Sequence, residues 1–249
     1  MRPGLVLAVS LIWLGFAGAS LAQPAATDSQ LQRLHSEAPA LDPEVLELAL
    51  TARSNAQEEG LLKRPEILTI IDYSLPSTEP RFWVFDLEHS TLLHKELVAH
   101  GRNTGENWAR AFSNQLGSKQ SSLGLFTTAG TYYGRNGYSL YLHGLEKGVN
   151  DRAFERTIVM HGAWYVGKSF ARKHGRLGRS WGCPALRQGI SREVIDQIKG
   201  GSALFVYYPD EKWLGSSEFL SPASSSRVTS KETPQDHTAR LRAAANTRG

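Results

Sequence analysis

The chain has 249 residues, 41% hydrophobic, 21% charged and 9% aromatic, which is enough for one substantial core and short for two large domains. Gly at 23 and Pro at 11 exclude collagen-like and wholly disordered chains. A formal net charge of +4 is too mild to announce a nucleic-acid binder, so no nucleic-acid partner is expected.

In chain order, Arg2, the apolar run Leu5 to Phe16 and the small residues Ala17 to Ala22 read as a signal peptide over 1–22, cut before Gln23. The run is short of the roughly 20 residues a spanning helix needs. An uncleaved anchor is the alternative. Export to the periplasm or cell envelope, with no membrane segment after cleavage, is the expectation. Residues 23–66 read as a leader, polar and unpatterned to Ala40. It then carries one helix that starts at Asp42-Pro43 and presents Val45, Leu46, Leu48, Ala49, Ala52 and Ala56.

From Ile67 the period shortens. Ile67–Tyr73, Arg81–Leu87, Thr91–His100, Tyr138–Leu142, Arg156–His161 and Ala203–Tyr208 are rich in Val, Ile, Thr and aromatics, as strands of a mainly β domain over 67–213. Leu75 to Pro80 reads as a loop between antiparallel strands. Ser121 to Phe126 reads as a β-turn, and Asn150-Asp151 as a helix cap. A helix opening at Ser191 closes at Gly200-Gly201. Residues 214–249 hold few large apolar residues and no periodicity, and are expected to be disordered.

The single cysteine, Cys183, has no internal partner for a disulfide, so in an oxidising compartment it is unpaired, bridged to another chain or chemically employed. A buried small hydrophobe is the plain alternative. Alternation along Arg156–His161 puts Thr157, Val159 and His161 on one face, and Cys183 follows His161 by 22 residues within Ser180-Trp181-Gly182-Cys183-Pro184. A cysteine nucleophile needs a base and a group that orients the base. Between Arg156 and Arg192 there is no Asp or Glu, while Arg156, Lys168, Arg172, Lys173, Arg176, Arg179, Arg187 and Arg192 are all basic. That one-signed stretch predicts a thiolate held by cations, with a main-chain carbonyl such as that of Gly162 orienting His161. The N–H groups of Gly182 and Cys183 are candidates for an oxyanion hole.

These residues carry a resemblance. Glu146 to Asp151, Ile158-Val159-Met160-His161-Gly162-Ala163 and Ser180 to Leu186 together resemble the L,D-transpeptidase (YkuD-like) catalytic domain, in its divergent exported branch, over about Ile67 to Tyr208. The resemblance implies a β-sandwich of mixed sheets with a few short helices. It also implies a thiol enzyme whose partners are peptidoglycan stem peptides. Cys183 would attack the L-centre carbonyl of the third stem residue, His161 would be the base and Gly162 would orient it. Ser180 and Gly182 would shape the pocket. The family's His between Ser and Gly is here Trp181, and its Arg two residues after the cysteine is here Ala185, so Arg179 or Arg187 are the candidates to replace that cation.

His143, with His161, His174 and Cys183, lacks the close ligand pairs of a zinc site, so no metal is expected, and no phosphate-cradling motif suggests a cofactor. His143 reads as a residue beside the pocket, and His174 as a solvated loop residue. Tyr132, Tyr133, Trp164, Tyr165 and Trp181 read either as groove lining or as core. Transfer to an amine, cross-linking peptidoglycan, is the expected reaction, with hydrolysis of the same bond and non-catalytic wall binding as the alternatives; the sequence does not set the oligomeric state.

Overall fold

The computed structural model describes residues 28–221; the signal segment and the tail beyond 221 lie outside the described residues. Two helices come first, α1 over Asp28–Glu37 and α2 over Pro43–Glu58. Asp42 caps α2 by accepting from Glu44 N–H at 2.9 Å, an arrangement worth about 1 kcal/mol, and Pro43 fits the first turn, where no N–H is needed. The α2 stripe of Val45, Leu46, Ala49, Leu50, Ala52 and Ala56 is buried, as its spacing requires.

The strands are β1 (Arg64–Asp72), β2 (Phe82–Asp86), β3 (Thr91–Glu96), β4 (Val98–Ala99), β5 (Gly124–Gly134), β6 (Gly137–Gly144), β7 (Val159–Ala163), β8 (Ala185–Arg187) and β9 (Ser202–Tyr207). Three further helices are α3 (Lys168–His174), α4 (Gln188–Ile198) and α5 (Glu211–Leu214). Among the described residues the strands form one nine-stranded mixed sheet, ordered β3-β2-β1-β9-β5-β6-β7-β8-β4. β1 with β9 and β7 with β8 run parallel, and the other pairs antiparallel. The fold is thus mainly β, as expected. The two ends of the order, β3 and β4, are separated in sequence only by Leu97, so the sheet curls round and closes on itself. Arg187 on β8 and Glu96 on β3 pair at 2.8 Å across that closure.

The main core gathers Ile70, Phe82, Phe85, Phe126, Leu140, Met160, Val194, Ile195 and Phe205 with the α2 stripe. A satellite core of Leu97, Ala99, Ala163, Val166, Ala171, Leu177 and Ala185 sits under α3. The 164–179 excursion between β7 and β8 is therefore packed in place, and the ends of these two parallel strands are set side by side.

Several sequence expectations need correcting. The leader is not unpatterned: Leu34 and Ala38 are fully buried and α1 docks on α2 and β3. Its apolar positions are too few to signal a helix without those neighbours. Ser121 and Ser122 are buried, and β5 begins at Gly124 where a turn was expected. Asn150 caps no helix. Its side chain donates to the carbonyls of Leu123 and Leu125 at 2.8 and 3.0 Å and accepts from Glu146 N–H at 2.9 Å, stapling a loop to β5. Strand β7 starts at Val159, because Thr157 adopts φ 54 and ends the alternation there. Helix α4 opens at Gln188, three residues before Ser191. His174 ends α3, exposed, against the Phe170 ring at 4.3 Å.

Beyond residue 213 the chain is packed rather than disordered as far as it is described. Phe219 is buried, and Asn55 Nδ2 donates to the carbonyls of Phe219 and Ser221 at 2.8 and 3.0 Å. Phe219, with Leu214 and Leu220 packed against the same core, and a buried amide suffice here, a signal too sparse for periodicity to reveal.

Candidate active site

β7 runs into Gly162 and β8 starts just after Cys183, so the parallel pairing sets His161 opposite Ala185. Both are buried, Cys183 at 8% exposure and His161 at 4%. His161 Nδ1 lies 3.0 Å from the carbonyl of Gly162. That carbonyl can only accept, so Nδ1 carries the proton and Nε2 is left as the basic nitrogen. A main-chain carbonyl orients the imidazole, as expected, and no carboxylate is needed. Gly162 itself must be glycine: a Cβ there would stand 2.4 Å from Ser191 Oγ on α4.

The thiol is held by the start of the same strand. Val159 N–H donates to Cys183 Sγ at 3.5 Å, and Sγ donates to the carbonyl of Thr157 at 3.6 Å. The φ 54 of Thr157, a conformation non-glycine residues rarely adopt, accompanies this contact. Among the described residues no hydrogen bond joins Sγ to the His161 ring. Burial pushes the Cys183 thiol up, opposed by the Val159 N–H and by the charge of Arg156. Burial lowers the His161 imidazole, opposed by its bond to Gly162. The resting pair is accordingly neutral thiol and neutral imidazole, which corrects the expected thiolate.

The ring of cations is also corrected. Arg179 Nη1 is bound to Glu106 Oε1 at 2.6 Å and to the carbonyls of Arg102 and Gly105, and Arg176 pairs with Glu106 at 2.8 Å. Arg187 pairs with Glu96. The acids come from segments far away in sequence, which is why a local count missed them. Neither Arg179 nor Arg187 interacts with Cys183. Arg156 does, and its place in the basic run did not single it out.

Ser180 shapes the turn that presents the thiol. Its Oγ donates to the Cys183 carbonyl at 2.6 Å and accepts Gly182 N–H at 3.1 Å. The Gly182 N–H is therefore occupied and unavailable to an oxyanion, leaving that of Cys183 as the candidate donor. Gly182 has φ 124, and a Cβ there would stand 2.8 Å from the Gln120 carbonyl oxygen. Ser121 ties the turn to its neighbours, donating to Gly182 O and accepting from Gly101 N–H, both at 3.0 Å.

Trp181 is 66% exposed with Lys119 Nζ over its ring at 5.3 Å, so it stands over the surface and belongs to no core. Trp164 and Tyr133 are likewise exposed. Tyr132 stacks on Tyr141, and Tyr165 is half-buried, its hydroxyl pushed up to about 12 by burial and by Cys183. His143 on β6 stacks on Phe154 at 4.9 Å. Among the described residues no group of His, Cys, Asp and Glu could hold a metal.

A buried polar layer supports the turn from below and was not visible in the sequence. Arg81 is fully buried: its Nε and Nη2 donate to Val98 O, Nη1 donates to Leu75 O, and Nη2 lies 2.8 Å from His100 Nδ1. His100 Nδ1 must then accept, and its Nε2–H donates to Gly105 O at 3.3 Å. The carbonyl of His100 in turn accepts Ser180 N–H at 3.0 Å.

Among solved structures the chain is similar to an L,D-transpeptidase from Mycobacterium smegmatis, at 15% identity over 57% of this chain and 59% of that one, with a TM-score of 0.36. It is also similar to L,D-transpeptidase 3 from Mycobacterium tuberculosis with a faropenem-derived adduct (11% identity, 57% and 60% covered, TM-score 0.38). A fused Zn-dependent amidase/peptidase/peptidoglycan-binding domain-containing protein from Clostridium acetobutylicum matches at 15% identity, 67% and 62% covered, TM-score 0.35. The chain spans about three fifths of the length of these structures. Among curated proteins there is no significant match. The sequence model of the L,D-transpeptidase catalytic domain matches residues 37–207, more than half the chain, and on that match the chain belongs to the L,D-transpeptidase catalytic domain family.

Proposed function

We propose that the protein is an exported cysteine acyltransferase that cross-links peptidoglycan stem peptides, with Cys183 as nucleophile and His161 as base. The observation that carries this reading is the fixed tautomer of His161. Its Nδ1–H is committed to Gly162 O, and the strand that bears it also holds the Cys183 sulfur through Val159 N–H. The thiol turns from the Thr157 carbonyl to His161 Nε2, which takes its proton. The thiolate attacks the L-centre carbonyl of the third stem residue, and Cys183 N–H faces the oxyanion. The C–N bond to the terminal D-alanine breaks, and the imidazolium returns the proton to that amine. An amine of a second stem, deprotonated by His161, then attacks the thioester and the C–S bond breaks, regenerating the thiol. Water as acceptor makes the same chemistry an L,D-carboxypeptidase reaction.

Incubation of the protein with tetrapeptide-containing muropeptides, followed by mass spectrometry, tests the reading. Cross-linked dimers with loss of one D-alanine support transfer. Tripeptides alone support hydrolysis, and turnover undiminished in Cys183→Ala overturns both. Binding of muropeptides without any product is the outcome that a non-catalytic wall-binding protein gives. The periplasmic assignment rests on residues 1–22, and fractionation of cells carrying the full chain, with N-terminal sequencing of the mature form, tests it.

A further inference from the structure

We infer that Arg156 is the positioning residue of this site, supplying the fixed positive charge for the Cys183 sulfur and mooring residues 113–122 across the turn that carries it. The inference rests on the reading of Cys183 as nucleophile.

The guanidinium enters from the residue just before Thr157, whose carbonyl accepts from Sγ. Its Nη2 donates to Gln120 O at 2.6 Å and to Ser118 Oγ at 3.0 Å, and its Nη1 donates to Ser113 O and Ser122 Oγ. The Gln120 carbonyl is the oxygen that lies 2.8 Å from where a Cβ of Gly182 would be, so the fork grips the chain that borders the nucleophile turn. Ser121, between the two gripped residues, donates to Gly182 O. Every acceptor of Arg156 is neutral. Among the described residues no carboxylate pairs with it, whereas Arg176, Arg179 and Arg187 each have one.

A half-buried cation without a counter-ion favours an anion nearby. The neighbouring group that can become one is the thiol, with which Arg156 interacts. The other titratable groups facing the sulfur are Tyr73, Tyr132 and Tyr165, phenols that burial keeps neutral and that a nearby thiolate would hold protonated. Arg152 is the neighbouring cation on the Arg156 side. Arg156 thus offsets part of what burial does to the thiol, and it does so at the moment the proton leaves for His161. The charge thus reaches the sulfur from the turn before β7 and not from the segment after the cysteine.

The test is the rate of Cys183 alkylation by iodoacetamide, followed by intact mass from pH 6 to pH 10.5, in the full chain and its variants. Arg156→Gln is expected to raise the pH midpoint by about one unit, read as an about tenfold slower reaction at pH 8. Arg156→Lys keeps the charge and is expected to stay within about threefold of the parent at pH 8, with a lower melting temperature from the lost fork. A folded Arg156→Gln with the parent midpoint overturns the inference, as does Arg156→Lys behaving like Arg156→Gln. Should Arg156→Gln not fold, the double variant Ser118→Ala/Ser122→Ala, which removes two of the four acceptors that hold the guanidinium, carries the test. A midpoint raised by half a unit supports the inference and an unmoved one overturns it. Turnover undiminished in Cys183→Ala would sink the nucleophile reading while leaving the alkylation result for Arg156 intact.

Discussion

Ser180 and Cys183 are joined by a 2.6 Å hydrogen bond from the serine hydroxyl to the cysteine carbonyl, within a turn of four residues. The same oxygen accepts Gly182 N–H, so one hydroxyl bonds both the Gly182 N–H and the Cys183 carbonyl, while Cys183 N–H faces its own sulfur. Ser180→Ala is expected to reduce turnover by about tenfold or more through misplacement of the sulfur. Its stability cost is about 1–3 kcal/mol, because the turn is buried and two partners are stranded. Muropeptide turnover and thermal melting check the two effects, and Ser180→Thr, which keeps the hydroxyl, should recover much of the activity.

The pH profile of turnover follows from burial of both reacting groups. Burial lowers the His161 imidazole, so its basic form persists to below the ordinary 6.5 and the acid limb of kcat/KM falls below that pH. Burial raises Cys183, so the thiol stays protonated through neutrality and the rate depends on proton transfer to His161. His161→Ala should abolish the acid limb together with most of the turnover. An acid limb above 6.5 in the parent would contradict the neutral resting pair.

Gly162 and Ser191 pack so closely that α4 fixes the position of the histidine strand. Gly162→Ala places a methyl 2.4 Å from Ser191 Oγ and 3.1 Å from its Cβ, and is expected to destabilise by about 1–3 kcal/mol. Ser191→Ala removes the nearer atom and should restore part of the loss. A double-mutant cycle by denaturant titration measures the coupling, and purely additive effects would show that the contact has been misjudged.

Acid should loosen the layer under the turn. His100 accepts from the Arg81 guanidinium and is buried, which depresses its ionisation to about 3 from the ordinary 6.5. The unfolded chain takes up a proton below 6.5 while the folded chain does not. Stability from this residue is therefore complete above 6.5 and declines as pH falls from there towards 3. Melting temperature is expected to drop over that window, and His100→Gln, which has no proton to take up there, should flatten the drop while lowering stability throughout.

The Glu146 to Asp151 run, read as a motif and a helix cap, proves to be a buried latch. Glu146 accepts Leu125 N–H at 2.6 Å with one oxygen and the Trp213 indole N–H at 2.9 Å with the other, while Asn150 fastens the carbonyls of Leu123 and Leu125. Its function is to hold β5 and α5 together.

Local pattern was enough to mark the mainly β domain, the capped α2, and the Gly162 carbonyl as the partner of His161, because alternation, capping and backbone permissiveness act over a few residues. It failed for α1 and for residues 214–221, whose few apolar side chains become a signal only when Leu34 or Phe219 meets a partner many residues away. It failed most clearly for charge. Eight cations surrounded the cysteine in sequence, yet Glu106 and Glu96 take three of them and only Arg156 acts on the sulfur. Electrostatic energy depends on distance through space and on burial, and neither is written in the order of the residues. That the strand of His161 lies beside Cys183 was legible from the chain. The protonation state of that pair, and the cation that faces it, were decided by the folded packing alone.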